Sequence, residues 1–157
     1  MIHWPSFLAQ WYKVRDTGHF YGVPQTWVAL FFIVLACGTL QGSKEAHADT
    51  DGMRFYLIAA RLLNTWTDNI VVDHARATLL VSVFLYEQNV RSAAWVWLGT
   101  AMRMSQEAGL ECAEGPWSDI EREGRQRTYW AIVSWDRYVG STPQLLMQTS
   151  LNLDRRG

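Results

Sequence analysis

Residues 94–110 read AWVWLGTAMRMSQEAGL and residues 118–143 read SDIEREGRQRTYWAIVSWDRYVGSTP. In the first run, Ala94, Leu98, Ala101 and Ser105 recur at helical spacing, with Trp97 and Ala108 beside them. The spacing predicts a helix capped by Asn89, running to Ala108 and stopping at Gly109, where a glycine takes the left-handed position and Leu110 packs back. In the second run, Ser118 and Glu121 stand in S-x-x-E spacing, the pattern in which each side chain bonds the other's free backbone N–H. That helix is expected to reach about Val139 and to end at Gly140, before Pro143. Its apolar side, Ile120, Ala131, Ile132, Trp135 and Val139, is the expected neighbour of the small face of the first helix.

Upstream, Val72 to Glu87 carries Ala75, Leu79, Val83 and Tyr86 at helical spacing, flanked by Leu80 and Phe84, and predicts a helix. The β-branched Val71, Val72, Val81 and Val83 leave a strand reading open. Residues 53–66, MRFYLIAARLLNTW, place Phe55, Ile58, Ala59, Leu62 and Leu63 on one helical face, with a break at Thr67 to Asn69. Before them, Gly42 and SKEAHADTDG read as a loop, with Asp49 or Asp51 as the helix cap. Following Pro24, the run TWVALFFIVLACGTLQ is apolar on nearly every side and predicts a central, buried helix. Residues 1–25 form an entry segment with a helix around Phe7 to Val14. The tail LLMQTSLNLDRRG has neither cap nor stop. The fold class expected is all-α, an irregular packing of about five to seven helices in a single domain over 1–157.

Composition agrees. Of 157 residues, 49% are hydrophobic and 18% charged, enough apolar material for a core, and nine are Trp, whose large rings fill cores or interfaces. A formal charge of −1 gives no global attraction for nucleic acid or anionic lipid. The longest apolar run, Trp27 to Cys37, is well short of the ~20 residues that span a bilayer, so no membrane partner is expected. Cys37 and Cys112, the two cysteines, build neither a disulfide scaffold nor a zinc site, and point to a reducing compartment.

Catalytic signatures do not emerge. His3, His19, His47 and His74 lack metal-ligand spacing, and no phosphate-binding glycine loop or nucleophile elbow occurs. Asp119, Glu121 and Glu123 form an acidic cluster, but Arg125 and Arg127 follow the glutamates by four residues, the spacing of ordinary helical ion pairs. The same acids weaken any phosphate-binding role for Arg122, Arg125 and Arg127. Trp27, Trp95 and Trp97 are read as core rather than as a stacking platform. The expectation is a non-enzymatic protein with no cofactor and no metal of its own.

The two opening runs resemble the regulatory "middle homology" domain of fungal zinc-cluster (Zn2Cys6) transcription factors. That family carries L-G-x-A-x-R-x-A-x-x-L-G-L on one helix, then E-x-R-R-R-x-W-W, D-R and a G-x-P turn. The counterparts here are Leu98, Gly99, Ala101, Arg103, Gly109 and Leu110, followed by Glu123, Arg125, Arg127, Trp130, Asp136 and Arg137. His3, Trp4, Pro5 and Phe7 are similar to the family's opening H-x-P-x-F, and Trp27 to Leu40 to its hydrophobic helix. Glu111 and Cys112 depart from the family's His after G-L, Tyr129 replaces the first Trp of the pair, and the turn is stretched from Gly140 to Pro143.

The resemblance implies a nuclear regulator of DNA-templated transcription that works through protein partners, coregulators or a second copy, with a small-molecule inducer as the alternative input. DNA and zinc would belong to an N-terminal six-cysteine module that two cysteines cannot build. Family domains continue through further helices, so the chain reads as C-terminally truncated. Gly99, Arg103, Gly109, Glu123, Arg127, Trp130, Asp136 and Arg137 are read as structural, with Arg103 expected in an ion pair between the two helices.

Overall fold

The computed structural model describes residues 2–40, 46–63, 68–112 and 114–154. Among the described residues there are six α-helices and no strand: α1 (Trp4–Thr17), α2 (Gln25–Thr39), α3 (Ala46–Leu62), α4 (Val72–Glu87), α5 (Arg91–Glu107) and α6 (Asp119–Asp154). The all-α class and the number of helices are those expected. The strand reading of Val71–Val83 fails, because α4 occupies the residues its helical periodicity marks out.

α2 packs antiparallel against α3. Gln25 at its start donates to the Leu62 carbonyl at 3.0 Å, and Thr39 at its end faces Gly52. Gly52, read from sequence as a loop residue, lies inside α3, which begins at Ala46. The reason for the glycine is close approach: a Cβ there would collide with Thr39 Oγ1 and touch the Phe84 ring. The expected break at Thr67 lies outside the described residues.

The core has two parts that meet on α4. Ala77, Val81, Phe84 and Leu85 join Leu30, Ile33 and Ala36 of α2 and Ala59 of α3, while Ala75 and Leu79 join Leu98 and Ala101 of α5 and Ile132 and Val139 of α6. The helix after Pro24 is buried as expected, yet α4 is the shared element. Trp27 belongs to the first part, stacked on Phe31 at 5.5 Å and tilted against Phe7 at 5.2 Å.

Helix ends follow local chemistry. Asn89 caps the end of α4 rather than the start of α5: it takes φ 61°, its N–H bonds the Tyr86 carbonyl and the Val90 N–H bonds the Leu85 carbonyl. Asparagine tolerates this left-handed position. Gly109 closes α5 in the same way at φ 60°, with Leu110 N–H on the Ser105 carbonyl and the Leu110 side chain fully buried, as expected. Gly140 does not end α6. It is absent from the left-handed glycines, and α6 runs on through it to Asp154.

Candidate functional site

The residues of the two motif helices divide by helical phase. On α6, Thr128, Ile132 and Val139 are buried, with Trp135 on the same side, while Glu123, Arg127, Trp130, Ser134 and Arg137 form the outward stripe. On α5, Ala94, Leu98, Ala101 and Ser105 are buried, and Trp95, Gly99 and Arg103 face out. Of the motif residues read as structural, Gly109 alone has a demonstrable backbone role. Gly99 borders open space, since a Cβ there would meet nothing within 4 Å, and Trp130 is 59% exposed against only the edge of Tyr129. Asp136 and Arg137 are exposed.

The interhelical ion pair expected of Arg103 does not form. Among the described residues Arg103 joins no salt bridge and is exposed, because it lies on the side of α5 opposite Ala101 and Ser105; Glu123 instead pairs with Arg127 along α6 at 2.5 Å. Among the described residues Glu121 forms no salt bridge with the expected Arg125 or with another base, although the Arg125 charge acts on it at longer range. Its carboxylate accepts from Ser118 N–H at 3.0 Å and Ser118 Oγ–H at 2.8 Å, which holds its pKa below the usual carboxylate range. The Glu121 N–H returns a bond to Ser118 Oγ at 3.3 Å, completing the expected box. Asp119 is taken by Arg122 at 2.9 Å.

Three other side chains tie the helices together. Arg125 Nη2 reaches from α6 to the Ala108 and Gly109 carbonyls at 2.5 and 3.3 Å, neutralising the end of α5, and its guanidinium stacks over Trp117 at 3.8 Å. Arg125 Nε is buried with no partner among the described residues, and burial, then the nearby Arg76 charge, lowers the Arg125 pKa. Arg76 leaves α4 for α6: Nε donates to Thr128 Oγ1 at 3.2 Å, Nη1 to Asp73 at 2.9 Å, and Nη2 lies over Gly124, where a Cβ would stand 3.1 Å away. Ser82 is the third, accepting from Trp135 Nε1 at 3.0 Å and donating to the Ala94 carbonyl at 2.8 Å. α5 thus seats its small face chiefly on α4, not on α6 as expected, and Ser82 and Thr78 offer hydroxyls at the contact, the latter 3.4 Å from Met104 Sδ.

The pairs 76–128 and 82–135 also show that α4 and α6 run parallel. The sequence signalled Arg125 through its motif position, but nothing in it marked Arg76 or Ser82 as ties, since both look like ordinary interior positions of an apolar helix. Trp95, expected in the core, is 62% exposed on the outer side of α5. His74 is the one buried histidine among the described residues; its Nδ1 accepts the Val71 N–H at 3.1 Å, and burial lowers its pKa against the opposing pull of Asp73. Cys37, packed under the Leu80 carbonyl, has its thiol pushed up to about 11 by burial.

Chemically, this arrangement offers an outward surface of aromatic and charged side chains on a rigid, well-tied helix pair. The family model described as "Fungal specific transcription factor domain" matches residues 2–142. The chain is 27% identical over 152 residues to "Activator of stress genes 1" of Saccharomyces cerevisiae, covering 88% of the chain and 16% of that protein. It is 29% identical over 106 residues to "Nitrogen assimilation transcription factor nit-4" of Neurospora crassa, covering 64% of the chain and 10% of that protein. The chain therefore spans under a fifth of either relative. No solved structure matches it.

Proposed function

The chain belongs to the fungal specific transcription factor domain family, and from that premise we propose that it controls transcription through contacts with other proteins made by the outward faces of α5 and α6. One observation carries this reading: the family motif splits, its apolar members Leu98, Ala101 and Leu110 building the core while Arg103, Trp130 and Arg137 remain in solvent, with Trp95 exposed beside them. Buried aromatics and arginines are the usual anchors of protein interfaces, and here both types stand exposed without a fold to support.

We assign the chain no enzymatic role, and place it in the nucleus with its transcription-factor relatives. No helix among the described residues is long and apolar enough to cross a membrane. DNA contact and zinc belong, in this proposal, to a six-cysteine module of an intact regulator, since Cys37 and Cys112 cannot assemble one. The test is a reporter assay with the chain fused to a heterologous DNA-binding module. Trp130→Ala and Arg137→Ala are expected to change reporter output at least several-fold while the Tm of the purified chain stays unchanged; unchanged output would sink the proposal. A second reading, sensing of a small molecule, is favoured by a cavity between α1 and α4.

A further inference from the structure

α1 stands away from the rest of the bundle. Among the described residues none of its Cα atoms lies within 8 Å of a Cα in another helix, whereas packed helices normally approach to ~8–10 Å between axes. It is held by large rings, Phe7 on Trp27 at 5.2 Å and Trp11 on Phe31 at 4.7 Å. The gap it leaves against α4 is a cavity of about 240 Å³. Phe7, Trp27 and Leu30 give it an apolar side, and Gln10, Asp73 and Arg76 a polar one. Its volume lies below the ~300 Å³ at which drug-sized pockets begin.

Asp73 and Arg76 are paired at 2.9 Å, with side chains 30% and 17% exposed. Such a pair is desolvated enough for charge-assisted hydrogen bonds to be strong, yet still open to a guest. An anion entering the cavity meets Arg76 but is repelled by Asp73, and a cation meets the reverse. A guest bearing both charges a few ångströms apart satisfies both.

We propose that this cavity binds a free amino acid with an apolar side chain, its carboxylate on Arg76, its ammonium on Asp73 and its side chain against Phe7, Trp27 and Leu30. The inference rests on the sensing reading and gives it a ligand class. It also supplies a route to the motif helices, because the Arg76 that meets the carboxylate is the residue whose Nε donates to Thr128 on α6. A second cavity of about 250 Å³, between α4 and α6, shares Asp73 and Arg76, so a guest on one side of the pair alters the setting of the other.

The experiment is calorimetry and thermal shift on the purified chain with leucine, methionine and phenylalanine as probes, each beside its amide and its N-acetyl derivative. At least one free amino acid is expected to bind at millimolar concentration and raise Tm, and loss of either charge to weaken binding about tenfold or more. Ser6→Trp, at the exposed rim on α1, is expected to weaken binding by a similar factor with the ligand-free Tm unchanged. Absence of binding by all three amino acids, equal binding of the blocked derivatives, or full binding by the Ser6→Trp chain overturns the proposal. None of these outcomes bears on the reporter assay with Trp130 and Arg137, so the sensing inference and the regulatory reading fail separately.

Discussion

Trp135 on α6 donates its indole N–H to Ser82 Oγ on α4 at 3.0 Å, and that hydroxyl in turn donates a hydrogen bond to the Ala94 carbonyl of α5. One fully buried serine therefore joins three helices. Ser82→Ala leaves the indole N–H without its acceptor, and is expected to cost about 1–3 kcal/mol in urea unfolding. Trp135→Phe made in the Ser82→Ala background is expected to cost less than in the wild type, because the shared bond is already gone. Simple additivity would show that the bond contributes nothing.

Arg103 and Arg125 both belong to the family motif but occupy opposite environments. Arg103→Ala removes an exposed side chain and is expected to change stability by no more than about 0.5 kcal/mol. Arg125→Ala removes the bonds to the Ala108 and Gly109 carbonyls and the stacking on Trp117, and is expected to cost about 1.5–3 kcal/mol. Arg125→Lys keeps the charge and loses the planar stack, and falls between the two. Equal effects of the Arg103 and Arg125 alanine variants in thermal unfolding would contradict the geometry.

Much of this was legible beforehand, and the misses share one cause. The bounds of α4, the glycine stop of α5 and the Ser118 box of α6 depend on neighbours within a few residues, which a linear pattern contains. The partner of Arg103 depends on how one helix is rotated against another, which periodicity does not specify. Reading Asn89 as the cap of α5 fails for a related reason: its side chain suits a helix start and its backbone a helix end, and the left-handed φ places it at the end of α4. Gly52 reads as a loop breaker because the Thr39 side chain that requires it lies 13 positions earlier in the chain, on another helix.

Gly52→Ala sets two effects against each other. Alanine improves helix propensity by about 1 kcal/mol, while the new Cβ collides with Thr39 Oγ1, whose bond to the Ala36 carbonyl at 2.7 Å opposes rotation. Overpacking of this kind costs about 1–3 kcal/mol, so net destabilisation is expected. Adding Thr39→Ala should recover most of it. A stabilised Gly52→Ala single variant would mean that α2 and α3 separate easily.

His74 gives stability a dependence on pH. Burial lowers its pKa below the ordinary value near 6.5, so between the two values the unfolded chain holds more protons. Its contribution is complete above the ordinary value and is lost as pH falls through the lowered one. The difference in unfolding free energy between wild type and His74→Asn is expected to shrink on going from neutral to mildly acid pH; a constant difference would show that His74 does not titrate differently on folding. Glu121 acts further down the scale, its depressed pKa keeping the α6 cap charged until the pH falls below the usual carboxylate range, which a carboxyl NMR titration would follow.

The sharing of α4 between both halves of the core has a thermodynamic consequence. Neither half retains a closed apolar surface if α4 unwinds, so the amides of α4 are expected to exchange with solvent only through global opening, while the ends of α1 exchange by local fraying. A substitution beside Ile33 and one beside Ile132, at opposite sides of the bundle, would then move one common unfolding transition instead of splitting it.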